Sequence, residues 1–219
     1  MKQKKSRLFS FVWVILILSF IVFTSTSYAG NGDDLVEAAH TGNLSKVRAL
    51  LKKETDVDHE NSVGATALII ASREGHEPIV QALLDKGAKI NHQAKNGVTA
   101  LMKASQQGYE SIVRVLLDKG AKINSQAKNG ISALIITSQQ GYESIVQALL
   151  DKGAKINHQA KNGVSALIIA SQEGHEAIVQ ILLDKGAEVN VRENGGRTAL
   201  KFAKTQKIKT LLKAAGASE

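Results

Sequence analysis

The chain has 219 residues, with 28 Lys and Arg against 20 Asp and Glu and a net charge of +8. It contains no cysteine, which excludes disulfide cross-links, thiolate zinc sites and cysteine nucleophiles. Its stability must therefore come from packing, and the basic excess favours acidic partners.

The first 29 residues have the pattern of an export signal. Four basic residues precede an apolar run at 8–23, and small residues stand just before Gly30. The run is slightly longer than a usual signal-peptide core and slightly shorter than the about 20 residues that span a bilayer. We expect residues 1–29 to be a signal peptide that is cleaved between Ala29 and Gly30. An uncleaved N-terminal membrane anchor is the alternative, and either version exports the rest of the chain.

Loss of this leader halves the net charge. The leader carries four basic residues and no acidic ones, so residues 30–219 have 24 basic and 20 acidic side chains and a net charge of +4. This weak excess argues against nucleic acid as a partner. Contact with a membrane is expected only through residues 1–29, if they remain attached.

The rest of the chain repeats itself in steps of 33 residues. The stretch at 85–98 is DKGAKINHQAKNGV; it returns unchanged at 151–164, and the copy between them at 118–131 differs at two positions. Three sets of glycines share the spacing: Gly64, Gly97, Gly130, Gly163 and Gly196; Gly87, Gly120, Gly153 and Gly186; and Gly42, Gly75, Gly108, Gly141 and Gly174. A period of this length predicts a stacked array in which each unit covers the apolar face of its neighbour.

Each unit predicts a turn, two short helices and an extended loop. In the unit that starts at Gly97, the dipeptide Asn-Gly predicts a tight turn, and Thr99 is expected to be a helix N-cap. A first helix is predicted over ALMKASQQ, ending at Gly108, and a second over ESIVRVLLDK. The apolar residues of the second helix share one face, so Leu116 and Leu117 are expected to lie between stacked units.

This unit resembles the ankyrin repeat. The family's pattern is a turn glycine, Thr-Pro-Leu-His, Ala-Ala, Gly-His, Ile-Val, Leu-Leu and Gly-Ala-Asp-Val-Asn, and it is matched at 96–124 by NGVTALMKASQQGYESIVRVLLDKGAKIN. The resemblance implies an all-α solenoid of stacked helix-turn-helix units with hairpin-like loops, forming one domain over 30–219. About six units are expected, comprising an N-terminal cap at 33–61, regular repeats at 62–192 and a C-terminal cap at 193–217.

Two positions depart from the family's pattern. The proline of the motif is alanine in every unit, and its histidine is apolar in all but the last unit, as in Met102. The family's hydrogen bond between Thr and His is therefore missing, and apolar packing is expected in its place.

The last unit is rich in lysine, which predicts a solubilising outer face where stacking stops. A basic binding patch is the alternative. The lysines are Lys201, Lys204, Lys207, Lys209 and Lys213.

The sequence offers no catalytic constellation. His76 and His175 occupy equivalent positions three units apart, and His92 and His158 lie two units apart. Because stacked helices are about 10 Å apart, neither pair can share a metal, and a structural role is expected for His76 and His175. Phosphate-binding glycine loops and G-x-S-x-G elbows are also absent from the sequence. We predict that the chain is not an enzyme and holds no cofactor or metal.

The resemblance also implies a partner-binding surface, made of the hairpin tips and the exposed face of each first helix. By motif position it comprises Arg73 and Glu74; Gln93, Lys95, Asn96, Gln106 and Gln107; Gln126, Lys128, Asn129, Gln139 and Gln140; and Gln159, Lys161, Asn162, Gln172 and Glu173. It lacks the aromatic residues that dominate most interfaces, so we expect a polar, acidic or repetitive partner. Lys95, Lys128 and Lys161 form a lysine ridge that is either a docking surface or a relic of duplication, because stacking is not expected to require Gln-x-Lys-Asn at each tip.

The sequence therefore predicts a monomeric, non-catalytic scaffold that binds another protein in the bacterial periplasm or cell envelope. A secreted, host-directed ankyrin protein is one alternative. The other is a surface protein that binds a polyanion through the lysine ridge, with nucleic acid disfavoured by the low charge and the lack of stacking aromatics.

Overall fold

The computed structural model describes residues 30–218, which form twelve helices. They are α1 at 30–40, α2 Leu44–Lys52, α3 Ala67–Glu74, α4 Glu77–Asp85, α5 Ala100–Gln107, α6 Glu110–Asp118, α7 Ala133–Gln140, α8 Glu143–Asp151, α9 Ala166–Glu173, α10 Glu176–Asp184, α11 Ala199–Phe202 and α12 Gln206–Ala214. Over this range the chain forms no strands, and its one isolated β-bridge joins Gln159 to Ser165. The all-α prediction is confirmed.

The helices form two layers. In the first layer, each of α3, α5, α7 and α9 packs on the next odd-numbered helix. In the second layer, the even-numbered helices from α2 to α12 stack on one another in the same way. The two helices of a unit also pack on each other, which yields the repeated helix-turn-helix solenoid expected from the sequence.

The predicted limits of the first helix are confirmed. The Thr99 hydroxyl accepts a hydrogen bond from the Met102 N–H at 3.3 Å, as an N-cap residue does. At the other end Gly108 has φ of 78°, a left-handed conformation that glycine adopts without steric cost. The serines at the equivalent position, Ser132 and Ser165, cap α7 and α9 in the same way.

The core lies between the two layers and runs the length of the solenoid. Its inner column consists of equivalent residues of the second helices, each at most 1% exposed: Ile79, Val80, Leu83, Ile112, Val113, Leu116, Ile145, Val146, Leu149, Ile178, Val179 and Leu182. Leu117 packs against this core but is only half-buried at its margin, so it is less covered than Leu116, contrary to the expectation that the two are equivalent. Successive helical residues are about 100° apart, and Ile112, Val113 and Leu116 already fill the inward arc.

Apolar packing replaces the family's Thr–His contact, as predicted. Met102 is 1% exposed, and its counterparts Ile69, Ile135 and Ile168 are 3%, 4% and 1% exposed. In the last unit the equivalent Lys201 is exposed, at the end of the stack. All five lysines of that unit are exposed, and the Lys204 ammonium donates to the Glu173 carbonyl oxygen at 3.1 Å.

Polar side chains also join successive units. The Asn124 carboxamide oxygen accepts a 2.8 Å hydrogen bond from the Lys155 N–H, one unit further on. The same bond recurs along the solenoid, with Asp58, Asn91, Asn157 and Asn190 as the other acceptors. We call these five residues the asparagine ladder. The polar residues of the repeated loop are thus needed for stacking, as are its glycines and apolar residues.

The histidines take part in this stacking. His92 donates to the Gly64 carbonyl oxygen at 2.9 Å, and His158 donates to that of Gly130 at 2.7 Å. His175 likewise contacts the Gln139 carbonyl oxygen at 3.0 Å. His92 and His158 therefore each tie the loop at the end of a unit to the turn at its start. His175 links its unit to the preceding one, and its predicted structural role is confirmed.

Between residues 30 and 218, no helix is long and apolar enough to cross a membrane. The predicted leader, with its cleavage residue Ala29, lies outside the described residues, of which Gly30 is the first.

Candidate functional site

The hairpins between units lie side by side and are joined through their backbones. Within one hairpin, the Ala127 N–H donates to the Ile131 carbonyl oxygen at 3.0 Å. Between hairpins, the Lys128 N–H donates to the Asn96 carbonyl oxygen at 2.8 Å. The equivalent bonds of Lys95, Lys161 and Asn194 to the preceding tips measure 3.1, 3.0 and 3.0 Å. The tips therefore form one continuous row.

The glutamines at the tips have a structural role. The Gln93 amide donates to the Gly97 carbonyl oxygen of its own hairpin at 2.9 Å and to the Gln126 carbonyl oxygen of the next at 3.1 Å. Gln159 bridges two hairpins in the same manner. Gln126 instead contacts the His158 ring at 3.4 Å.

The asparagines at the tips are also structural. The carboxamide oxygens of Asn96, Asn129 and Asn162 accept hydrogen bonds of 3.1 to 3.2 Å from the N–H two residues further on. Such bonds stabilise tight turns. The expectation that stacking does not involve Gln-x-Lys-Asn is therefore wrong for Gln93 and Gln159, which join successive hairpins, whereas the asparagine bonds lie within each turn.

The lysines differ from their neighbours at the tips. All three side chains of the lysine ridge are exposed. The Lys95 ammonium donates to the Ser62 carbonyl oxygen at 2.8 Å. Across residues 30–218, the ammonium groups of Lys128 and Lys161 make no hydrogen bond or ion pair, so these two charges are available to a ligand.

The first helices contribute polar side chains next to this row. Each helix ends in two of them, of which Gln106, Gln107, Gln139, Gln140 and Gln172 are exposed. Glu173 is half-buried and accepts a hydrogen bond from the Gln172 amide at 3.3 Å. The hairpin tips and the helix ends both carry exposed polar side chains, and their use as a binding surface stays a prediction.

One end of this surface forms a groove. A cavity of about 610 Å³ lies between the hairpins at 61–65 and 94–98 and helices α3 and α5, and we call it the N-terminal groove. Ile69 and Ile70 line it and are 3% and 5% exposed, whereas Val63 at the first hairpin tip is 59% exposed.

Four basic side chains line the N-terminal groove: Arg73, Lys95, Lys103 and Lys128. Arg73 donates to the Glu74 carboxylate at 2.6 Å, and the His40 ring contacts the same oxygen at 3.2 Å. Burial raises the pKa of Glu74, but the hydrogen bonds and charges of Arg73 and His40 outweigh this effect and lower that pKa below its ordinary value. Glu74 is therefore fixed as an ionised partner of Arg73.

Lys103 is a site residue that the sequence analysis missed. It is half-buried, and its ammonium donates to the neutral Gln106 side chain at 3.0 Å. Burial lowers the pKa of Lys103, and the charge of Arg73 lowers it further. Aligning the units would have revealed it, because Ile70, Ile136 and Ile169 occupy the equivalent positions.

Within residues 30–218, no group of three or more His, Asp or Glu side chains is arranged to hold a metal ion. The surface consists instead of exposed amides and ammonium groups on a regular scaffold. Such an arrangement can offer hydrogen bonds and positive charge to a partner.

Comparison with known proteins supports the reading of the repeats. A family model described as ankyrin repeats (3 copies) matches residues 35–127 and 134–218. No curated protein matches the chain.

Proposed function

Because the chain belongs to the ankyrin repeat family, whose repeats bind other proteins, we propose that it is an exported, non-catalytic scaffold for a polar or acidic protein partner. The partner lies across the hairpin tips and the ends of the first helices. The observation that carries this proposal is the lysine ridge: three exposed lysines stand on hairpins joined by backbone hydrogen bonds.

A rigid row of this kind favours binding. The hairpin backbones are already ordered by their mutual hydrogen bonds, so a partner does not have to order them on association. Within the described residues 30–218, Lys128 and Lys161 have no acidic partner that a ligand must displace. The exposed amides beside them supply both donors and acceptors. An acidic, hydrogen-bonding surface is the complement of this arrangement, and its binding is sensitive to salt.

The test is affinity capture from the native cell envelope with immobilised residues 30–219. Wild type is compared with the triple variant K95Q/K128Q/K161Q. The matched control is K89Q/K122Q/K155Q, which removes the same charge six residues before each tip. The proposal expects a partner that wild type and the control capture and the ridge variant loses. Equal capture of the partner by the two triple variants would exclude the lysine ridge as the binding surface.

Export is part of the proposal, supported by the leader pattern at 1–29. Its test is the intact mass of the protein recovered from fractionated native cells. A soluble periplasmic species that starts at Gly30 is expected. A membrane-bound species that retains residues 1–29 would indicate an anchored scaffold, and recovery from the medium a secreted one.

The lysine ridge also favours a second candidate, a polyanion-binding surface protein. Retention on an immobilised polyanion separates the two, because phosphate-driven binding falls steeply as salt rises. Retention at about 0.15 M salt that the ridge variant loses would favour the polyanion over a protein partner.

A further inference from the structure

The N-terminal groove contains three residues that differ from those at the equivalent positions of the other regular units. Val63 stands at the tip position that is Asn96 in the next unit, and it leaves an apolar side chain 59% exposed. Lys103 stands where the other regular units have isoleucine, and Arg73 where they have glutamine. Stacking accounts for what the units share, and it requires none of these three replacements. They line a single cavity of about 610 Å³.

The charge of this groove is unbalanced. Arg73, Lys95, Lys103 and Lys128 line it, and among the described residues no Asp or Glu does. Of the nearby carboxylates, Glu74 is already bound by Arg73, and Glu60 faces the His92 ring at 3.6 Å. In the described part of the chain, the half-buried Lys103 ammonium contacts the neutral Gln106 and no carboxylate. A half-buried cation without a counter-ion is unfavourable, and a carboxylate from a ligand would compensate it.

The groove also offers apolar contact beside these charges. Val63 forms an exposed wall, and the nearly buried Ile69 and Ile70 lie beneath it. An aliphatic or aromatic side chain placed against Val63 would remove apolar surface from water. The groove thus combines an apolar contact with a cationic one.

We infer that the N-terminal groove binds an acidic segment of a partner protein, in which Asp or Glu stands next to an aliphatic or aromatic residue. The carboxylate pairs with Lys103, and the apolar side chain packs on Val63. This inference rests on the proposed protein-binding function and adds a specificity site to it. The chain's own leader does not fit, since residues 1–29 carry four basic side chains and no acidic one.

The test starts with selection of linear peptides from a random library displayed on phage, against immobilised residues 30–219. Selected peptides are then titrated by fluorescence anisotropy against wild type, K103I and the control K122Q. Isoleucine is the residue of the other units at position 103, so K103I is expected to fold, and a urea melt checks this. We expect acidic–apolar peptides whose Kd rises about tenfold or more in K103I and stays unchanged in K122Q.

Four outcomes would overturn the inference. Three concern the selection: no peptide is obtained, the peptides lack acidic residues, or K103I leaves their affinity unaltered. The fourth is self-association of the chain that K103I abolishes, which would assign the groove to a second copy instead. The envelope capture tests the proposed function independently of these peptides. If wild type captures a partner that K95Q/K128Q/K161Q loses, the proposed function stands and only the assignment of the groove fails.

Discussion

The Lys128 N–H donates a 2.8 Å hydrogen bond to the Asn96 carbonyl oxygen on the preceding hairpin. Lys161 and Asn129 repeat the same bond one unit further on, at 3.0 Å. The backbone of each lysine therefore belongs to the scaffold, while its side chain extends from it. The spacing of the exposed ammonium groups is set by the stacking of the units.

Truncation to alanine should cost more unfolding free energy at Leu116 than at the adjacent Leu117. Leu116→Ala should cost about 2 to 5 kcal/mol of unfolding free energy, because it opens a cavity between stacked units. Leu117 is half-buried, so Leu117→Ala should cost clearly less than Leu116→Ala. Urea melts of the two variants measure the difference. A loss at Leu117 equal to that at Leu116 would contradict the placement of the core.

Removing a buried hydroxyl should stabilise the protein at Ser105. Its oxygen is buried without a hydrogen-bond partner, and an unsatisfied buried polar group costs about 1 to 3 kcal/mol, so Ser105→Ala should raise the urea midpoint. The control is Ser171, at the equivalent position in α9, whose hydroxyl donates to the Leu167 carbonyl oxygen at 2.7 Å. Ser171→Ala should lower the urea midpoint, because it removes this hydrogen bond. A rise of the midpoint in both variants would show that the hydrogen bond of Ser171 does not contribute to stability.

The asparagine ladder should depend on a carbonyl-type acceptor. Asn124→Ala removes the acceptor for the Lys155 N–H and should cost about 1 kcal/mol, the net value of a typical hydrogen bond. Asn124→Asp keeps this acceptor, as Asp58 does in the first unit, but loses the amide that donates to the Gly153 carbonyl oxygen at 3.3 Å, so this variant should lose less stability than Asn124→Ala. Thermal or urea melts provide the comparison. Equal losses in the two variants would contradict the role of the acceptor.

The Glu74 carboxylate should stabilise the fold at neutral pH and not in acid. Its folded-state pKa lies below the ordinary value, so the unfolded state binds its proton more readily. The contribution is therefore present above the unfolded pKa, about 4.5, and is lost as pH falls through the folded pKa. Wild type should exceed Glu74→Gln in stability at pH about 7, and the gap should close at pH about 2. A gap that persists in acid would exclude the Arg73 and His40 contacts as its cause.

The helices could be predicted from the sequence because their limits are local. Thr99 and Gly108 carry the chemistry of a helix start and a helix end, and both positions are confirmed. The burial of Leu117 could not be predicted from periodicity alone, since a short apolar face does not define which edge residue is covered. That depends on the neighbouring units.

The motif positions predict which residues lie at the hairpin tips and helix ends, but they do not predict the contacts that each residue makes there. The Gln93 amide contacts a carbonyl oxygen of the next hairpin, which becomes its neighbour only when the hairpins have formed and stacked. Lys103 is conspicuous only against the isoleucine of the other units, and its environment depends on Arg73 from the preceding unit. Contacts between units are absent from the local pattern of any one unit.

The most direct test of the proposed scaffold is an affinity titration with the purified partner from the envelope capture. Wild type, K95Q/K128Q/K161Q and K89Q/K122Q/K155Q would be compared by calorimetry at about 0.05 M and 0.3 M salt. We predict that the ridge variant binds about tenfold or more weakly than the other two at low salt, and that this gap narrows at high salt. Equal affinities of the two triple variants at both salt concentrations would contradict the assignment of the hairpin row as the binding surface.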